Sequence, residues 1–373
     1  MSWMFKRCLL TMVCKHLFLC YYASTERDCM SKKKVLLSIL FLAGVAGVTF
    51  YVIFSNTDLD LIVENLKRIS PISIIMCCLL VLVYFYLQGL YMKYVLRSMD
   101  VDISLSRGTF YSIIEFFFSA ITPSSSGGQP IQLLYMTKDK IPIRKSLIVL
   151  ILNTIVFKLY LVVMGIVVVV FNFDYVAHAN MMLKTLFFAG LVVDVAVIVF
   201  CYLLLFNQKL VRKILVFGNA IIAKLTKGKY DYSNKIDTTL EDYIHEAIYM
   251  RTHVKEVIIS TIITFIQRTC MFAILYVIYK ALGLKEYSFL NLLNIQILAM
   301  VSIEGLPLPG GVGALEEIQN TLYKGVFGKL ATTAMVLNRT FSFYIPLIVV
   351  MIVIIVVSRR QYRNVLSNEK VED

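Results

Sequence analysis

The chain has 373 residues, 59% of them hydrophobic and only 16% charged, with a mean hydropathy of +0.76. That composition excludes a soluble globular domain and indicates a polytopic membrane protein, all-helical because helices satisfy their own backbone inside lipid. The formal charge of +13 does not point to nucleic acid, since the basic residues cluster at the ends of apolar runs, where they set topology and meet anionic lipid.

Residues 1–30 differ from the rest: they hold the single tryptophan, Trp3, and four of the eight cysteines, and end at Met30-Ser31-Lys32-Lys33-Lys34 before an apolar run. A bacterial inner-membrane protein usually begins in that way, so Met30 is the expected natural start and the residues before it an upstream extension; the alternative is an amphipathic leader. Residues 31–373 read as one integral-membrane domain. Spans are expected at 35–54, 71–96, 146–171, 185–206, 257–282 and 331–357, six in all, each near the ~20 residues that cross a bilayer as helix. Lys32 to Lys34 at the start, and Arg359, Arg360 and Arg363 at the end, place both termini inside. The stretch 207–255 is polar and basic and reads as the main cytoplasmic connection. Within it, Leu210, Ile214, Phe217, Ile221 and Leu225 recur at helical spacing opposite lysines, which suits either a helix lying on the membrane surface or a solvated linker helix.

Two apolar regions do not fit a simple crossing. One reads IIEFFFSAITPSSSGGQPIQLLYM over 113–136; the other lies within 288–323 and contains SIEGLPLPGGVGALEE, 302–317. Both run apolar helix, proline, glycine pair, helix. On the topology above they are re-entrant hairpins dipping in from opposite faces, which points to an inverted-repeat transporter with its site between the broken helices. Irregular backbone survives at membrane depth only where protein or a polar cavity surrounds it. The N–H groups at Gly127-Gly128 and Gly310-Gly311 would open new helices whose positive ends face an anion such as a phosphate. Pro-kinked helices or ordinary loops are the plainer alternative.

Glu115, Lys158, Asp194, Arg268, Glu304, Glu316 and Arg339 lie inside apolar stretches, where charge is expensive and faces a cavity or a partner. Lys158 and Arg268 fall near the middle of their spans, suited either to a lipid phosphate or to structural bridges with Glu115, Asp194 or Glu304. Enzyme motifs are lacking: no HExxH, GxSxG or Walker loop occurs, and the four histidines share no cluster with cysteine or carboxylate. The eight cysteines show no zinc-type spacing and read as packing residues, so neither a metal nor a cofactor is expected. Serines 124 to 126 lack a nearby base and read as hydroxyl donors to an anion.

The segments ITPSSSGGQPIQLLYMTKDKIP, PLPGGVGALEE and NRTFSFYIPLIVV resemble the signatures of the transmembrane domain of lysylphosphatidylglycerol synthase/flippase proteins, the multiple peptide resistance factor family. The resemblance covers about Lys32 to Arg363, and the TPSxxGGQP form is similar to the branch found in low-GC Gram-positive bacteria. It implies a flippase moving aminoacylated phosphatidylglycerol to the outer leaflet of the cytoplasmic membrane, with a link to antibiotic resistance. It also implies a following cytosolic synthase domain; the sequence runs sixteen residues past Val357, so that domain is expected to be absent and lysyltransferase activity is not expected. Positions matching the family's motifs are Pro123, Gly127, Gly128 and Gln129, then Pro309, Gly310, Gly311, Gly313 and Glu316, and Arg339.

Taken together, the expectation is translocation of an anionic or zwitterionic lipid, either an aminoacylated phospholipid such as lysyl-phosphatidylglycerol or a polyprenyl-phosphate glycolipid. Ser124, Gln129 and the glycine amides would hold the head group, Lys158, Arg268 and Arg339 would neutralise it, and Glu115, Glu304 and Glu316 would recognise a cationic head or couple to protons. Glu115 and Asp194 are candidates for proton coupling. The competing classes are a lipid aminoacyltransferase or its membrane subunit, which needs a separately encoded synthase partner, and a scaffold whose charges merely bridge helices. A homo-oligomer is compatible with all three.

Overall fold

The computed structural model describes residues 64, 66, 67, 69–122, 125–171, 181–225, 240–241, 243–244, 247–248, 253–304, 306 and 311–369, the backbone alone at 218, 221–225 and 358–369. The expected span 35–54 and the segment 1–30 lie outside these residues, as do Pro123, Ser124, Pro309 and Gly310. Every regular element among the described residues is helical: α1 Pro71–Ser98, α2 Leu105–Ile121, α3 Gly128–Lys138, α4 Ile143–Phe171, α5 Met181–Phe206 and α6 Gln208–Leu225. There follow α7 Val254–Phe272, α8 Ile274–Ala281, α9 Phe289–Ser302, α10 Ala314–Phe327, α11 Ala331–Arg339 and α12 Ile345–Glu369.

Among the described residues, five helical stretches are long and apolar enough to cross a membrane: α1, α4, α5, α7 with α8, and Ala314–Val357. Their outward faces carry Ile72, Ile75, Leu79 and Leu82 on α1 and Val192, Val199 and Phe200 on α5, as a helix set in lipid requires. Local signals start α1: the Ser70 hydroxyl accepts from the Ser73 N–H at 3.3 Å, and Pro71 occupies the first turn, where no amide is needed. Two expected spans are less regular than the sequence indicates. The span at 257–282 is interrupted at Ala273, between α7 and α8. The last crossing begins at α11, as the expected 331–357 has it, after a turn-back at Gly328, whose φ of +55° suits a residue without Cβ; its irregularity lies further on. Between α11 and α12 lies a π-turn, Thr340–Tyr344, directly before Pro346, which lacks the N–H that an unbroken α-helix would use.

Both broken regions fold as antiparallel hairpins. In the first, Arg107 and Tyr111 of α2 bond Asp139 just beyond α3, the Phe110 ring meets Tyr135 at 5.8 Å, and Glu115 and Ser119 face Gly128. In the second, Gln296 of α9 bonds Tyr323 of α10 at 2.6 Å. At the usual 1.5 Å rise, α9 and α10, with 14 residues each, reach roughly 21 Å, and α2 roughly 25 Å with 17 residues. None covers the ~30 Å of a hydrocarbon core.

The direction of each hairpin follows from its neighbours. α1 and α4 are antiparallel, the Tyr91 hydroxyl donating to the Val149 carbonyl at 3.0 Å and Gln88 Nε2 to Asn153 Oδ1 at 3.2 Å. α7 is antiparallel to α1, with Arg268 opposite Tyr84 and Glu256 beside Tyr94. The end of α1 and the starts of α4 and α7 therefore share one face, and short links fix the base of the α2–α3 hairpin there. The α9–α10 hairpin has its base at the far end of α8, where Tyr279 packs on Tyr287 and Phe327. The two hairpins enter from opposite faces. Each is preceded and followed by a crossing segment, so α1 to α4 and α7 to α12 repeat one order of elements upside down, with α5 and α6 between them.

Close helix contacts set the depth of the hairpins. A Cβ on Gly108 would lie 2.5 Å from the Gly89 carbonyl oxygen, and one on Gly190 would lie 2.0 Å from the Val301 carbonyl oxygen. Only glycine lets α2 lie against α1, and α9 against α5, at such range.

Candidate functional site

Described residues of both hairpins line a cavity of about 560 Å³, level with the middles of α4 and of the α7–α8 stretch, where Lys158 and Arg268 stand. α2 contributes Glu115 and Ser119, the turn after it Ser125 and Ser126, and α3 Gln129, whose Nε2 donates to Thr154 Oγ1 on α4 at 2.7 Å. The second tip contributes Glu304 and Gly311. Lys158 of α4, Arg268 of α7 and Arg339 of α11 complete the charged lining. Val193 and Val197 of α5, with Phe157, Met271 and Met300, add apolar lining. A pocket of mixed charged and apolar lining suits an amphiphile better than a bare ion.

The three cations have different partners. Lys158 Nζ lies 2.5 Å from Glu304 Oε2 and 2.8 Å from Asp194 Oδ1. Arg339 Nε lies 2.7 Å from Glu316 Oε1, and its guanidinium stacks 4.3 Å from the Phe343 ring centre. Arg268 pairs with no carboxylate among the described residues. Its Nη1 donates to the Tyr84 hydroxyl at 2.9 Å, its guanidinium lies 4.0 Å from the Phe157 ring centre, and its Nε is buried without an acceptor. Such a cation–π contact is worth about 2 kcal/mol when desolvated and holds the guanidinium without discharging it. Glu115 shares the cavity, near enough for its charge to act on Arg268, and no donor among the described residues reaches its carboxylate.

The glycine motifs differ from the expectation of amides aimed at a phosphate. The Gly127 N–H donates to Thr122 Oγ1 at 2.9 Å, and Gly128 is a packing position, its missing side chain making room for Ser119 and the Glu115 carbonyl. Neither lines the cavity. In the second motif the Gly313 N–H donates to Glu316 Oε2 at 2.7 Å. A carboxylate of the chain itself thus sits at the N-terminus of α10, the position expected to receive the anion, and it is held there by Arg339. Gly311, with φ +67°, does face the cavity.

Several lining residues escaped the sequence reading, notably Tyr84, Asn153, Gln296, Gln319 and Ser342. Buried amides inside otherwise apolar helices were the available signal for Asn153, Gln296 and Gln319. Tyr84 had none, since a tyrosine in an apolar span is ordinary. Among the described residues no group of three His, Cys, Asp or Glu side chains is arranged to hold a metal ion.

Comparison with known proteins matches residues 35–349 to the family described as the lysylphosphatidylglycerol synthase TM region. A UPF0104 membrane protein of Archaeoglobus fulgidus is 22% identical over 275 residues, 73% of this chain and 82% of the relative. A second UPF0104 membrane protein, from Pyrococcus horikoshii, is 23% identical over 329 residues, 84% of this chain and 94% of the relative. The all-helical fold and the extent of the family match agree, and the chain belongs to the lysylphosphatidylglycerol synthase transmembrane-region family.

Proposed function

We propose that the chain translocates a phosphate-bearing lipid across the bilayer, the head group passing through the mid-membrane cavity while the acyl chains stay against its apolar lining. Arg268 carries this reading: a guanidinium at membrane depth with no carboxylate partner among the described residues, facing a cavity, is a standing site for an anion. Glu115 beside it would receive the amino group of an aminoacylated head, which favours lysyl-phosphatidylglycerol; a polyprenyl-phosphate glycolipid would use Arg268 alone. The face holding the base of the first hairpin also holds α6 with Lys209, Arg212 and Lys213, so it is the cytoplasmic face in this reading. Delivery of a cationic lipid to the outer leaflet would lower surface negative charge and weaken attack by cationic antibiotics. A subunit assisting a separately encoded synthase is the second reading. The ion pairs of Lys158 and Arg339 favour it, because they use two of the three cations as bridges, but it leaves Arg268 without a role.

The test is leaflet sidedness of labelled phosphatidylglycerol, its lysyl form and a polyprenyl-phosphate sugar in proteoliposomes of the purified chain. Selective movement of one lipid, lost in Arg268→Ala and partly kept in Arg268→Lys with both variants folded, is the expected result. No movement of any lipid, or wild-type movement in Arg268→Ala, overturns the reading.

A further inference from the structure

One ammonium serves two carboxylates in this bundle. Lys158 of α4 contacts Asp194 of α5 and Glu304 at the tip of the second hairpin, with side chains 12%, 0% and 18% exposed. If all three were ionised the cluster would hold one negative charge in excess at mid-membrane, and two carboxylates sharing one site do not both ionise cheaply. Asp194 Oδ2 is buried and no donor reaches it.

The surrounding charges do not supply the missing positive one. Arg339 is matched by Glu316 of α10, and Arg268 of α7 faces Glu115 of α2. α1 offers only the neutral Tyr84, and α5 adds Cys201 within electrostatic range of Lys158. Around the cavity stand four carboxylates, Glu115, Asp194, Glu304 and Glu316, against three cations, Lys158, Arg268 and Arg339.

We propose that Lys158, Asp194 and Glu304 form a proton-binding site that loads and unloads as the tip of the second hairpin moves. With the tip in place, one proton resides on the Asp194 and Glu304 carboxyl pair and the cluster is neutral. Glu304 lies just past the last turn of α9, on irregular backbone, so it leaves the cluster when the tip withdraws. Lys158 and Asp194 then neutralise each other as a simple pair. Glu304 enters the wet cavity and gives its proton to water, and it must regain one before the tip can return. One proton taken up and one released per cycle would couple the hairpin, and any lipid it carries, to a proton gradient. This inference rests on the transport reading for its purpose, but the proton site is measurable without transport.

Two measurements separate the two claims. Infrared spectra of the full chain in lipid at neutral pH should show a protonated-carboxyl stretch that diminishes in Glu304→Gln and in Asp194→Asn, with folding of each checked by melting and with Glu304→Asp retaining the band. In proteoliposomes, an imposed pH gradient should accelerate movement of the transported lipid by up to about tenfold per pH unit, with proton flux followed by an internal pH dye. Glu304→Gln should lose that response. Unchanged infrared bands in both variants overturn the proton site whether or not lipid moves. Gradient-independent lipid movement overturns the coupling and leaves the transport reading standing, whereas an intact infrared signature without lipid movement sinks transport alone.

Discussion

The two hairpins occupy mirrored places, both with a packed base and a glycine-close flank, but they carry their ion pairs at opposite ends. The α2–α3 hairpin is fastened at its base, where both Asp139 oxygens take the Arg107 guanidinium and the Tyr111 hydroxyl adds a further bond, and along its flank, where Gly108 lies on Gly89. The α9–α10 hairpin is fastened near its tip, by Lys158 to Glu304 and by Arg339 to Glu316. A base at the membrane edge is reached by water, which weakens its ion pairs. A tip at mid-membrane is held by charges that cannot be screened, so its position follows their ionisation. The ion pair of the first hairpin is therefore weak, and those of the second contribute more to holding it in place.

Removing the tip's anchor should have the largest effect. Lys158→Met leaves Asp194 and Glu304 without a cation, and breaking a buried pair in this way costs about 3–5 kcal/mol, read as a lowered unfolding midpoint of the purified chain. Adding Asp194→Asn and Glu304→Gln to that variant should recover most of the loss, because a neutral cluster needs no counter-ion. The flank of the first hairpin comes next. Gly108→Ala puts a methyl 2.5 Å from a backbone oxygen and should cost about 1–3 kcal/mol, with cysteine labelling near Ser126 reporting that the first tip has shifted. Smallest is the base latch: Arg107 and Asp139 are 24% and 27% exposed, so Arg107→Ala should cost under about 1 kcal/mol and less at high salt. An Arg107→Ala loss as large as that of Lys158→Met would end the contrast between ion pairs at the base and ion pairs at the tip.

Spans and breaks were legible because their causes are local. The runs expected at 71–96, 146–171 and 185–206 became α1, α4 and α5 with ends shifted by at most four residues, and both expected breaks fall between the two helices of a hairpin. Less local features were not legible. The last span was expected to start at 331 and does, but the π-turn at Thr340–Tyr344 within it was not foreseen, and the interruption at Ala273 has no proline or glycine to announce it. In the glycine motifs, the expected phosphate position at α10 is taken by Glu316, four residues beyond Val312, through a cap bond no periodicity reveals.

What the sequence alone determined is the membrane setting, the helical class and the two opposed breaks, since hydropathy and backbone chemistry act over stretches of ten to thirty neighbouring residues. Which ion meets which was decided only by tertiary structure. Lys158 finds Glu304 across 146 residues, and Arg268 finds Tyr84 across 184. From the sequence, Lys158, Arg268 and Arg339 are all cations in apolar helices, and nothing in it says which of them is paired. Packing discharges two of them against carboxylates and leaves the third facing the cavity, because the partner of a buried charge is set by which helices lie side by side.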